Sequence, residues 1–292
     1  MKGIILINAY SQMQEPLFCA GRLKEEFEKR GVEIEIRRND FFAVTAAEQL
    51  GCALHGIDFC VYLDKDKYVL QGLEKAGIPL FNSYRAIELC DDKMTTCLAL
   101  AGQGIKMPLT IPAPLCYDQG MELSEEALDK IEGALGYPLI IKRSYGSRGT
   151  GVSLVRSRSE LKDQSNELMQ IAHLYQQFIA SSYGRDVRVI VIGGEVLGAM
   201  LRQSETDFRS NVALGGSATE YLLGQEEIRM CKRVAELLEL DFCGIDLLFG
   251  EDGFYVCEVN SNAFFGGFER ATKKNVAGAY AEHILAKLHK SK

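Results

Sequence analysis

Two apolar runs near the C-terminus, Gly244-Ile245-Asp246-Leu247-Leu248-Phe249 and Phe254-Tyr255-Val256-Cys257-Glu258-Val259-Asn260, stand on either side of Glu251-Asp252-Gly253. Runs of strand length around a glycine-containing turn specify a β-hairpin. With a three-residue loop and Gly253 in the left-handed conformation, Asp246 faces Glu258 directly. Asn260 then shares their face, because side chains along a strand alternate with period two. Two carboxylates and an amide oxygen on one patch suit a hard divalent cation, which prefers oxygen ligands. A two-residue loop would instead turn Asp246 to the opposite face. A plain hairpin with its polar side chains in water fits the same residues, and on this segment alone both readings stay open.

The chain of 292 residues exceeds one small core and implies roughly two domains. Its net charge of −7 argues against a general nucleic-acid binder, which would carry a basic stripe. The first apolar run, residues 4–7, is too short for a signal-peptide core or a membrane span, so no membrane partner is expected. Nine cysteines without a Cys-x-x-Cys pair, among them Cys60, Cys97, Cys231 and Cys257, indicate reduced, buried thiols and a cytoplasmic protein.

Residues 1–90 alternate strand and helix patterns: strands at 3–8, 32–37, 58–63 and 78–81, helices at 16–30 and 68–76. That order predicts an open, largely parallel sheet. No Gly-x-Gly-x-x-Gly follows the first strand, which excludes a dinucleotide-binding Rossmann unit. A helix is expected over 91–104 with Asp91 as N-cap, then an extended stretch at 105–111 ending in Pro112-Ala113-Pro114. Helical spacing recurs at 124–135, 226–238 and 276–288, with glycine turns at 146–151, 193–194 and 251–253. Hairpins mixed with helices give the second half α+β character. The expected boundaries are 1–90, 91–180 and 181–292.

Three further segments could carry chemistry. Pro138-Leu139-Ile140-Ile141-Lys142 runs through Gly146-Ser147-Arg148-Gly149-Thr150-Gly151 into Val152-Ser153-Leu154-Val155. It reads strand, glycine turn, strand, whereas a Walker A loop enters a helix and places its lysine after the last glycine. A glycine hairpin can instead fold over phosphates with Lys142 beneath it; a mobile turn beside an exposed lysine fits equally. Arg202 and Asp207-Phe208-Arg209-Ser210-Asn211 with Gly215-Gly216 offer guanidinium groups suited to phosphate or carboxylate, or form a polar loop. Tyr175-Gln176-Gln177-Phe178-Ile179 reads as a strand, and Gly184-Arg185-Asp186-Val187-Arg188 could bind a ribose hydroxyl through Asp186, or hold an ordinary loop salt bridge. The histidines (55, 173, 283, 289) lack metal-ligand spacing, and neither a Gly-x-Ser-x-Gly elbow nor a recognisable cysteine nucleophile is present. Chemistry that depends on positioning and electrostatics, phosphoryl transfer above all, needs least from protein nucleophiles.

Taken in order, Asn82-Ser83, Asp92-Lys93, Lys142 with the glycine turn, Gly184-Arg185-Asp186-Val187-Arg188, Asp207-Phe208-Arg209-Ser210-Asn211 and Glu258-Val259-Asn260-Ser261 resemble the ATP-grasp superfamily, and within it the RimK-like ligases that attach L-glutamate to a carboxyl terminus. The resemblance implies an ATP-grasp fold behind an N-terminal open parallel-sheet domain. It implies Lys93 and Lys142 on ATP phosphates, Gln177 and Phe178 in the strand that holds adenine, and Asp186 on ribose. Arg202 and Arg209 become the catalytic arginines, with Ser210 and Asn211 in the same nucleotide-contacting segment, and Asp246, Glu258 and Asn260 the ligands of two Mg²⁺ or Mn²⁺ ions. The implied reaction passes the γ-phosphate of ATP to a carboxylate, after which an amine displaces phosphate to give an amide.

Two departures stand out. Gln177 replaces an acidic hinge residue, and Ser261-Asn262-Ala263-Phe264-Phe265-Gly266-Gly267 replaces the family's Ser-Ser-Pro-Gly, which points to a different acceptor. The expected substrates are L-glutamate and a carboxylate on a peptide, protein or small molecule, with Arg37, Arg38, Arg143 and Arg188 as candidate binders of acidic groups. Other readings are an ATP-grasp ligase using another amine, of the amino-group-carrier-protein or dipeptide type, and a nucleotide-binding regulator without turnover. By family analogy the chain forms a dimer or tetramer.

Overall fold

The computed structural model describes residues 1–146, 149–210 and 216–290. Ser147, Arg148, Asn211 and Gly215, each part of a motif named above, lie outside them. The first elements are β1 (Lys2–Ile7), α1 (Glu15–Lys29), β2 (Glu33–Arg38), a small hairpin of β3 (Val44–Ala46) and β4 (Leu50–Cys52), β5 (Phe59–Tyr62), α2 (Lys67–Lys75) and β6 (Leu80–Phe81). Strands β2, β1, β5 and β6 pair in that order, all parallel. β1, buried from Gly3 to Ile7, and the wholly buried β5 lie inside, as a parallel sheet covered on both faces requires.

Next come α3 (Tyr84–Asp91), α4 (Lys93–Leu100), β7 (Thr110–Pro112), α5 (Glu125–Leu135), β8 (Leu139–Arg143), β9 (Val152–Val155), α6 (Arg158–Leu168) and β10 (His173–Gln177). The helix expected over 91–104 is the second of a pair and shorter, Lys93–Leu100; the first, Tyr84–Asp91, was not expected. Asp92, not Asp91, caps the second: its Oδ1 accepts from the Met94 and Thr95 amides at 2.7 and 3.2 Å. Ser83 caps the first through the Ala86 amide. The extended stretch narrows to β7, whose Pro112 is tolerated because β7 is an edge strand of the sheet β7-β10-β8-β9. This central sheet has its own core, with Leu128, Leu139, Val155, Leu161 and Tyr175 buried together.

The last third holds β11 (Arg185–Ile192), β12 (Glu195–Gln203), β13 (Ser217–Tyr221), α7 (Gln225–Leu237), β14 (Phe242–Gly250), β15 (Gly253–Asn260), α8 (Gly266–Thr272) and α9 (Val276–Lys290). The strands form an antiparallel sheet in the order β13-β12-β11-β14-β15. Arg185 to Arg188, open to a loop reading from sequence, begin its middle strand. One apolar cluster joins this sheet to the first: Phe27 and Phe59 share it with Ile190, Phe242, Phe265 and Tyr280. Asn82, only 3% exposed, clasps the same seam. Its Nδ2 donates to the Phe242 and Ser261 carbonyls at 2.7 Å each, and its Oδ1 accepts from the Asp241 and Phe242 amides at 2.7 and 2.9 Å.

Candidate active site

The β14–β15 hairpin does place Asp246 opposite Glu258, by a different route from the one expected. Gly250 pairs with Gly253, so the turn is two residues, Glu251-Asp252, and not three. Uncorrected, that register would turn Asp246 away. The register then shifts by one: Leu247 pairs with Val256, whereas Asp246 pairs with Glu258. Cys257 is the extra residue of this bulge. Such bulges re-aim side chains beside functional sites, and here one restores the carboxylate pair. Asn260 pairs with Gly244, one step along the same face. A Cβ at Gly244 would stand 2.7 Å from that of Ala263, so glycine leaves the patch open for its neighbours.

A cleft opens between the central and C-terminal sheets, a concave surface of the kind that small-molecule sites use. Lys93, Lys142, Gln177, Phe178, Asp186, Arg209, Ser210, Asp246 and Glu258 all line it. Lys142 comes from β8 and is 9% exposed. Its Nζ donates to the Cys257 thiol sulfur at 3.4 Å. Burial works against its charge, but Cys257 and Glu258 beside it more than restore it, and its pKa is raised. Burial also pushes the Cys257 thiol up, against the pull of the Lys142 charge. Lys93 donates to the Gly146 carbonyl at 2.9 Å and lies 3.6 Å from Glu258, so it ties the start of the glycine turn to the hairpin. Gly151 has φ +73°, and any Cβ there would meet Arg143 Cδ at 2.7 Å, so the turn's end requires glycine.

Opposite these lysines the C-terminal sheet carries a ladder of paired charges. Arg188 stands across from Asp246 and grips both carboxylate oxygens, Nε to Oδ1 and Nη2 to Oδ2, each at 2.7 Å. Arg202 grips Asp186 in the same bidentate manner at 2.7 and 2.5 Å, and its Nη2 also reaches Asp246 Oδ2 at 3.0 Å. Burial alone would raise the Asp246 pKa, but the two guanidinium groups outweigh it and hold it low. For Asp186 burial prevails, helped by the charge of Asp246, and the pKa is raised despite Arg202.

Arg202 is 4% exposed and stands behind the cleft, not in its lining. Arg209 is held by Asp207 and donates from Nη1 to the Gly149 carbonyl at 2.9 Å, so it bridges its own loop to the glycine turn. Gln177 accepts from the Leu109 amide at 3.3 Å, and Phe178 packs edge-on against Tyr183.

Asp246, Glu258 and Asn260 form an all-oxygen donor set of the kind that hard cations take. The Asn260 amide nitrogen is buried without a hydrogen-bond partner, an orphan polar group at that spot. Among the described residues no three His, Cys, Asp or Glu side chains gather as a metal centre; this set has two carboxylates and an amide. Sequence reasoning missed the Arg188–Asp246 fork and the Cys257–Lys142 contact. The first depends on β11 lying beside β14, a pairing between distant segments, and the second on a bulge.

These elements define an ATP-grasp architecture. A RimK-like ATP-grasp domain model matches residues 90–284, and the chain belongs to that family. It is 38% identical to human N-acetylaspartylglutamate synthase A and 40% identical to human beta-citrylglutamate synthase B. Each match covers 78% of this chain and 58% of the relative, so the chain spans under two thirds of their length. It is 33% identical to a probable alpha-L-glutamate ligase of Psychromonas ingrahamii, over 97% of this chain and 95% of that protein. The fold also matches a structure of the ATP-grasp ligase PsnB complexed with minimal precursor, Mg and ADP, at 19% identity and a TM-score of 0.71, over 98% of both chains.

Proposed function

We propose that this protein is an ATP-dependent carboxylate–amine ligase that forms an amide through an acylphosphate, with L-glutamate as the amine and a small acidic molecule as the acceptor. The observation that carries it is one cleft in which Lys93, Lys142 and Arg209 face the oxygen set of Asp246 and Glu258, with Asn260 beside them. Such a site supplies charge and position without a covalent nucleophile, which suits phosphoryl transfer. The substrate classes rest on the relatives: both human proteins are named for glutamate joined to a small acid, and the bacterial one as a glutamate ligase.

In this reading Lys142 and Lys93 hold phosphate oxygens beneath and beside the glycine turn. Backbone groups at Gln177 and Phe178 hold the adenine. Asp186 accepts from a ribose hydroxyl on a lone pair that Arg202 leaves free. Arg209, with Ser210 and Asn211, steadies the transferring phosphate. Arg202 acts through the two aspartates it holds. Asp246, Glu258 and Asn260 would hold two Mg²⁺ or Mn²⁺ ions, which neutralise phosphate charge when bound; the Mg-and-ADP complex of the structural neighbour supports this. All nine cysteines are free, which supports a reducing, cytoplasmic setting.

The test is ADP release from the purified protein with L-glutamate and, in turn, N-acetylaspartate, citrate and acidic peptides, with the product identified by mass. Glutamate-dependent ADP release is expected with at least one acceptor, and Asp246→Asn and Glu258→Gln should abolish it with the fold intact. ATP binding with no pair stimulating turnover would favour a nucleotide-binding regulator.

A further inference from the structure

Asp246 faces competing cations: Arg188 and Arg202 already take three of the roughly four lone-pair sites on its carboxylate. A divalent cation held by Asp246, Glu258 and Asn260 needs an oxygen of Asp246, yet Arg188 holds both at 2.7 Å. The path of the arginine sharpens the conflict. An atom added at Gly244 would lie 3.6 Å from both Cδ and Nε of Arg188, so the side chain runs across Gly244 to reach Asp246. Gly244 is also the residue paired with Asn260. The guanidinium therefore covers the ground between two of the three candidate ligands.

We propose that Arg188 is the resident counter-cation of this site, which a divalent cation must displace from Asp246. This rests on the metal reading of the hairpin given above. The ladder makes the exchange feasible in charge. Buried carboxylates are tolerated only when paired, and Arg202 stays within 3.0 Å of Asp246 when Arg188 leaves. One cation leaves the carboxylate as another arrives, so Asp246 is never bare. The Arg188 side chain is less enclosed than that of Asp246, 16% against 7% exposed, and so can swing toward solvent. Metal entry and release of the Arg188 fork become one event, and the metal-free protein is held in a self-neutralised resting state.

Competition lowers apparent metal affinity by the fraction of protein whose Asp246 is free. Removing the competing fork must then tighten metal binding, an effect that general structural damage would not produce. The experiment is an electron paramagnetic resonance titration of free Mn²⁺ with the whole chain and a non-hydrolysable ATP analogue, comparing wild type, Arg188→Met, Arg188→Lys and Asp246→Asn.

We expect Arg188→Met to bind Mn²⁺ at least tenfold more tightly than wild type. Arg188→Lys, which keeps the charge but not the fork, should fall between them and serves if the methionine variant does not fold. Affinity in both Arg188 variants equal to or weaker than wild type overturns the proposal, provided Asp246→Asn binds more weakly than wild type. If Asp246→Asn binds as wild type does, the metal reading itself fails, and the proposal with it.

Discussion

The two walls of the cleft solve the problem of buried charge in opposite ways. On the C-terminal wall the charges neutralise one another across strands, Arg188 with Asp246 and Arg202 with both Asp186 and Asp246. On the central wall Lys142 is nearly as buried, yet its hydrogen bond goes to a thiol, a weak acceptor. One wall is built to be stable with the cleft empty. The other keeps a cation in reserve for an anionic ligand. Structure and chemistry are thus carried by different sheets, and substitutions should separate them.

The largest effect on folding should come from Arg202→Met, which strands the buried Asp186 and removes one of the two arginines on Asp246. Breaking a buried pair in this way costs about 3–5 kcal/mol, and urea unfolding measures it. A loss under 1 kcal/mol would mean the ladder does not hold that wall. Lys142→Met should show the converse. Its stability should fall by only about 1 kcal/mol, because Lys142 makes one hydrogen bond to a thiol and no bidentate pair, while kcat/KM for ATP falls by about 10²–10³-fold, as on loss of one group that stabilises transition-state charge. If Lys142→Met unfolds easily instead, the division between the walls fails.

Cys257→Ser is a finer probe. A hydroxyl is a better acceptor than a thiol, so Lys142 is held more firmly and ATP affinity should drop by a few-fold, with stability changed by about 1 kcal/mol or less; calorimetric titration reads both affinities.

The smallest effect belongs to the seam between the walls. Hydrogen bonds from the Arg209 guanidinium hold Asp207 below the usual carboxylate range. A depressed folded value gives stability that is present above the unfolded pKa, near 4, and is lost as pH falls through the folded one. Asp207→Asn should therefore be less stable than wild type by about 0.2–1 kcal/mol at pH 7, given the solvent exposure of the pair. The two should converge once the pH has fallen below the folded value. A constant difference across pH would show that the pair is not its cause.

The contrast also explains what could be read from the chain. Apolar runs mark helices and strands locally, and the parallel N-terminal sheet followed from them, whereas the helix at Arg158–Leu168 was missed. Asp91 and Asp92 are equally good caps on paper, and only packing chose Asp92. The hairpin is the instructive case. The pairing of Asp246 with Glu258 was legible, but the expected three-residue turn was wrong. A two-residue turn and a bulge at Cys257 sum to the same register, and a bulge leaves little mark on composition. Lys142 and Glu258 announced themselves by motif order. The Arg188 fork depends on β11 lying beside β14, a non-local pairing that neither strand encodes alone.

Asn82 has a consequence for how the cleft could open. Four hydrogen bonds from this one side chain fasten the end of the N-terminal sheet to Asp241, Phe242 and Ser261. The start of β14 and the residue just past β15 are thereby fixed to one point. Any motion that swung the N-terminal sheet off the hairpin would break all four at once, and would tear the shared apolar cluster as well. The central sheet has a separate core and takes no part in this clasp. Two of the three sheets are thus locked into one anvil, and Lys142 stands on the third.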